Sequence, residues 1–214
     1  MRIREPFSGF SHLVGLALSI LGLVYLINVG IGQGTAWHIV ALSIFGASLI
    51  LLYTASALYH LLPLAERGIK VLRRIDHMMI YILIAGSYTP LCLLALRGGW
   101  RWGLLVPIWV AAIVGVVISA FHISAPRWLT TAIYLVMGWL LVVAAKPLAH
   151  AMPAGGFRWI LIGGLFYSVG AVFYGTKWPR LKPGIFGFHE LWHLFVMAGS
   201  MAHYWAVLRY VAVI

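Results

Sequence analysis

Seven stretches of this sequence are each apolar over close to the ~20 residues that cross a bilayer. They run roughly over 10–29, 37–62, 76–96, 102–122, 128–148, 158–176 and 186–209, which leaves almost no chain for a soluble domain. In hydrocarbon such a run must satisfy its own backbone N–H and C=O groups, so each is expected to be a helix. The fold expected is therefore all-α: a seven-transmembrane helix bundle that forms a single membrane domain over residues 1–214. Composition agrees, with 63% hydrophobic and 9% charged residues, against about 25% charged in soluble domains, and a mean hydropathy of +1.00.

The formal net charge of +11 could suggest nucleic acid. No basic stripe interleaved with aromatics stands in a soluble segment, however, so no nucleic-acid partner is expected. Basic residues of membrane proteins collect in cytoplasmic loops and meet anionic lipid. Cys92 is the one cysteine, which excludes an intrachain disulfide framework and a cysteine-rich metal site. The N-terminus, MRIREPFSGFSHLVGLALSILGLVYLI, has an apolar stretch too long for a signal peptide and no clear small-residue cleavage site before Asn28. It reads as an uncleaved first span.

Turn residues punctuate the connections: Gly30, Gly32 and Gly34; Pro63; Gly98 and Gly99; Pro126; Pro153, Gly155 and Gly156; Pro179 and Pro183. The 158–176 stretch is the least hydrophobic. Its Gly163, Gly164, Gly170 and Gly175 suit close helix packing in lipid.

Lys and Arg set the orientation. One side collects Arg2, Arg4, Arg67, Lys70, Arg73, Arg74, Arg127, Lys177, Arg180 and Lys182; the other collects Arg97, Arg101, Lys146, Arg158 and Arg209, a bias of 10 to 5. The positive-inside rule places the N-terminus in the cytoplasm and the C-terminus outside.

The whole chain contains four acids: Glu5, Glu66, Asp76 and Glu190. Glu66 sits in a basic loop, where Arg67 or Lys70 can pair with it. The others stand beside histidines at helix ends. Glu5 precedes His12, Asp76 opens the third helix, and Glu190 lies in HELWH (189–193) at the start of the seventh. The second helix ends in SALYH, with Ser56 and His60 four apart. All these ends fall on the cytoplasmic side, a convergence the charge count did not use. Ionisable residues inside a membrane face a bundle interior or a wet cavity and point to function.

His189 and His193 are four apart, hence about 40° apart around a helix and about 6 Å along it. Two imidazoles so placed can bind one zinc ion, and His60 is the obvious third nitrogen. Three histidines and a water make a catalytic arrangement, in which the water pKa falls to about 7. Ser56, one turn before His60, faces the same way, and Asp76 can orient or deprotonate the water. Taken singly, each residue has a plainer role: an interfacial histidine, or a serine bonded to the carbonyl one turn back. Their grouping at one depth favours a site. His38 lies at the opposite face and His150 in a loop, while His122 ends the fourth helix. His77 points about 100° away from Asp76. His203, deep in the seventh helix, is a packing residue rather than a fourth ligand.

Four segments carry a family resemblance: EPFSGFSH (5–12), SALYHLLP (56–63), IDHMMIYILIAGSYTP (75–90) and FGFHELWHLFVMAGSMAHYWAV (186–207). Together they resemble the bacterial hemolysin III family, which groups with the progestin and adipoQ receptors and, more distantly, the alkaline ceramidases. The resemblance covers essentially the whole chain. It implies seven helices in a bacterial inner membrane and a zinc ion near the cytoplasmic leaflet. His60, His189 and His193 would be its ligands, with Asp76 and Ser56 positioning water. It also implies hydrolysis of a lipid-like amide, whereas the hemolysin name points to lysis of cells. Ser8 departs from the Asn that relatives often carry there.

HELWH also spells a zinc-protease helix, H-E-x-x-H. Proteases of that kind take a third ligand downstream. Only 21 residues follow His193 and none is acidic, and the metzincin positions hold Val196 and Gly199. A third ligand upstream, His60, fits better. The expectation is thus a zinc-dependent hydrolase of a lipid-like amide or ester, with membrane lipids as partners. Its rivals are a receptor or pore-forming cytolysin with structural zinc, and a haem or ion carrier.

Overall fold

The structure, a computed structural model, describes residues 4–121, 126–179, 181–182 and 186–214. His122 and the orientation residues Arg2 and Arg180 lie outside the described residues, as does Pro183. Seven helical rods account for most of the rest. They are α1 (Pro6–Gly32), α2 (Ala36–Leu61), α3 (Glu66–Pro90, continued by a π-turn at Leu91–Ala95) and α4 (Gly99–Ala120). Then come α5 (Arg127–Trp139, continued through a 3-10 segment, Leu140–Ala144, into Ala145–Ala151), α6 (Ala154–Thr176) and α7 (Phe188–Ala206, continued by a π-turn at Val207–Val211).

Six of the seven, α1 to α6, are long and apolar enough to cross a membrane. The exception, α7, carries His189, Glu190, His193 and His203, whose polarity lowers its hydropathy. Leu, Ile and Val side chains stand exposed around the bundle, as a lipid-facing surface requires. Exposed tryptophans mark both ends: Trp37, Trp100 and Trp102 at one, Trp128 and Trp178 at the other, like the aromatic belts of membrane interfaces.

The helices α1 to α4 pack side by side in chain order, α5 packs mainly on α6, and α7 returns to pack on α1 as well as α6, closing the bundle. The glycines of the sixth helix divide between two roles. Gly163 and Gly170 press against His203 and against Phe195 and Trp192 of α7, leaving no room for a Cβ, whereas Gly164 and Gly175 face α5 loosely.

Two expected boundaries move. The third helix begins at Glu66, not Asp76, so Asp76 lies in its third turn rather than opening it. Apolarity marks where a helix enters lipid, not where it begins. The basic run 66–75 is helical, and Lys70 pairs with Glu66 one turn back at 2.6 Å, as i,i+4 charges do. The fifth helix is also broken. At the break the Tyr88 hydroxyl, from α3, accepts the Leu141 N–H at 2.8 Å and faces the Met137 and Gly138 carbonyls at 2.8 and 2.7 Å. Irregular backbone at membrane depth persists only where protein groups satisfy it. Tyr88→Phe removes that partner and is expected to cost about 1–3 kcal/mol of stability, read as a lowered unfolding midpoint in detergent.

Candidate metal centre

Two helix ends meet at one point. His60 occupies the last turn of α2, and His189 and His193 the first turns of α7. Their ring centroids are 4.7 to 5.0 Å apart, and one nitrogen from each lies within 4.8 Å of the others. His60 and His193 are 0% and 2% exposed. The Nε2 atoms of His60 and His189 stand 3.4 Å apart. Two nitrogens that bind one tetrahedral ion at about 2.0–2.1 Å stand about 3.3 Å from each other. The donor set therefore fits a small divalent ion.

The outer nitrogens point the same way. His60 Nδ1 hydrogen bonds the Glu5 carboxylate at 2.5 Å, and His193 Nδ1–H donates to the Ser8 carbonyl at 3.3 Å. Each bond sets the tautomer that leaves Nε2 free for a ligand, an arrangement common around metal-binding histidines. Glu5 is pinned in turn. Its N–H donates to the His60 carbonyl at 3.2 Å, and Arg4 Nη2 donates to its carboxylate at 3.1 Å. The hydrogen bond from His60 is the main reason the Glu5 carboxyl is held down to about 2, so Glu5 is a carboxylate at any physiological pH.

Glu190, beside the first histidine, is used differently. Its carboxylate accepts the Gly187 N–H at 2.8 Å and the Ser8 hydroxyl at 3.2 Å. It caps the start of α7, as a Glu at the third helical position does, and ties α7 to α1.

Ser56 and Asp76 line an elongated apolar cavity of about 150 Å³ together with His189 and His193. Ser56 is 1% exposed, and the Asp76 side chain 13%. On α6 the cavity wall runs from Phe157 to Tyr174, about 25 Å of helix. His203 belongs to this wall but not to the histidine trio. Its Nε2–H donates to the Ile160 carbonyl at 3.1 Å, a clasp between α7 and α6. His77 donates from Nδ1 to the Arg73 carbonyl at 2.7 Å, and its Nε2 faces the Tyr174 hydroxyl at 3.2 Å. His38 bonds Thr35 at the far end of α2, and His150 bonds the Lys146 carbonyl.

Sequence reasoning missed two neighbours. Glu5 meets His60 across 55 positions, which no local spacing reveals. His12 stacks on His193 at 3.8 Å between ring centroids and 13° between planes. Its i,i+4 spacing from Ser8 was the available signal, since one α1 face then meets α7 with both residues.

The fold and site define a class: a multi-pass helical membrane protein with a histidine trio, two of its members buried, able to hold a metal ion. The family model for haemolysin-III related proteins matches residues 1–204, and the chain belongs to that family. It is 41% identical over 206 residues to the hemolysin-3 homolog of Bacillus subtilis (strain 168), covering 96% of this chain and 93% of that protein. It is also 41% identical over 209 residues to hemolysin-3 of Bacillus cereus, covering 97% and 91%. A weaker similarity, 26% over 210 residues, links it to the human monocyte to macrophage differentiation factor, covering 94% and 82%.

Proposed function

We propose that this chain is a zinc-dependent hydrolase of a lipid-like amide or ester, with the ion held by His60, His189 and His193. The observation that carries this reading is the placement of three nitrogens, with the outer partners of His60 and His193 already fixed, at the head of an apolar cavity that His189, His193, Ser56 and Asp76 line.

A zinc ion held there by His60, His189 and His193 would supply a Lewis acid for the carbonyl and lower the pKa of a water to about 7. The chain's own groups do the rest. The cavity takes the acyl chain and keeps water from it. Asp76 accepts a proton from the attacking water as its oxygen bonds to the acyl carbon. The proton then passes to the leaving nitrogen or oxygen as the C–N or C–O bond breaks, giving a fatty acid and an amine or alcohol. The Ser56 hydroxyl holds the Asp76 carboxylate toward the reacting water. The assay is fatty-acid release from a panel of acyl amides and esters by the detergent-purified chain. Release is expected to stop on chelation and return with zinc; no zinc-dependent release from any member counts against the reading.

The same reading makes the chain one seven-span domain over residues 1–214 in a bacterial inner membrane, with α7 as the seventh span. The N-terminus faces the cytoplasm and the C-terminus the outside, because the Lys and Arg bias is 10 to 5. A C-terminal reporter active only outside the cytoplasm is expected to score; one active only inside would reverse the topology.

A further inference from the structure

Outside the histidine trio the bundle opens into a second cavity, a vestibule of about 1270 Å³. Its wall holds four cations, Arg4, Arg73, Arg127 and Lys182, and two carboxylates, Glu5 and Glu190. The carboxylates are already committed. Glu5 binds His60 and Arg4, and Glu190 caps α7. Among the described residues Arg73, Arg127 and Lys182 form no ion pair.

Arg127 is the most constrained of them. Its guanidinium lies over the rings of Tyr174 at 4.7 Å and Phe188 at 5.6 Å, while its Nη1 is buried with no hydrogen-bond partner among the described residues. A buried guanidinium N–H left unpaired is costly. Packing against two neighbouring rings orients the planar fork before any ligand arrives, and that fork matches phosphate oxygens. Cations on this side of a membrane protein are ordinary in loops. Here they converge instead on one concave wall with their acids used up.

The vestibule also joins the site. His77, Tyr174 and His189 line both it and the apolar cavity. A lipid with its acyl chain in the cavity and its carbonyl at the trio would put its head group among these cations. We propose that the vestibule is a phosphate-binding subsite and that the preferred substrate is an acyl lipid with a phosphate-bearing head group. This rests on the hydrolase reading for its substrate claim, but the binding claim stands apart from turnover.

The experiment titrates the zinc-loaded full chain in nonionic detergent with dihexanoyl phosphatidic acid, dihexanoylglycerol and inorganic phosphate, by calorimetry. Phosphatidic acid is expected to bind at least about tenfold tighter than either of the others, and more weakly as salt rises. Arg127→Gln and Arg73→Gln are each expected to weaken it by about tenfold or more, with dihexanoylglycerol binding and zinc content unchanged. Arg73→Gln is the second variant should Arg127→Gln fail to fold. Equal affinity for dihexanoylglycerol would overturn the subsite, and equal affinity for inorganic phosphate would overturn the head-group assignment. An equal loss with Arg67→Gln, outside the vestibule, would mean diffuse attraction to the basic face and would also overturn it. Head-group-selective binding without turnover would sink the hydrolase reading alone. Turnover of neutral acyl lipids, insensitive to both arginine variants, would sink the subsite alone.

Discussion

Asp76→Asn is expected to lower zinc-dependent fatty-acid release by about 10² to 10⁴ while leaving the fold and most of the metal in place. That range is the usual contribution of a positioned general base. The carboxylate lines the cavity with Ser56, His189 and His193 but is not one of the three clustered groups able to hold a metal ion. An amide of the same shape keeps the packing and loses the proton acceptor. Glu190→Gln is expected to lower the rate far less, because Glu190 is committed to the Gly187 N–H and the Ser8 hydroxyl. Its effect should appear in stability instead, at about 1 kcal/mol, as for a lost helix cap. The comparison uses the two variants and wild type at matched zinc content. Activity that survives Asp76→Asn and vanishes with Glu190→Gln would place the base on the wrong helix and revive the protease-like use of HELWH.

The second large effect concerns the ion itself. His60→Ala, His189→Ala and His193→Ala are each expected to strip zinc from the purified chain, since two nitrogens alone do not hold it against washing. His38→Ala and His150→Ala retain it, because those residues bond Thr35 and the Lys146 carbonyl away from the trio. Glu5→Gln keeps the fold but weakens metal affinity by about 10- to 100-fold, the usual cost of losing the partner of a ligand histidine. Full zinc retention by the His60 variant would remove α2 from the site.

Much of this was legible in the residues alone, for physical reasons that differ by element. Apolar runs announced the helices, because lipid demands an internally bonded backbone. The pairing of His189 with His193 followed from helical period, and His60 from the shared membrane side of three helix ends. Apolarity begins at Asp76 and marks it as a helix start in the sequence, although the helix itself begins at Glu66 in the basic run. The break in α5 was invisible, since what permits it is a hydroxyl from another helix, Tyr88. Glu5 stands out in the sequence as one of four acids, but its grip on His60 depends on α1 meeting the end of α2. The stacking of His12 on His193 likewise depends on how α7 returns to α1. Contacts of that kind come from packing between helices, and spacing along the chain shows only which residues share a face.

The claim on which everything else rests is a metal ion held by three histidines with one position open. X-ray absorption at the zinc edge, with metal analysis of the same purified sample, tests it directly. The expected result is about one zinc per chain, with three nitrogen neighbours and one oxygen at about 2.0–2.1 Å. A folded chain without metal, or an ion closed off by four protein ligands, would contradict it and favour a receptor or a cytolysin with a structural site.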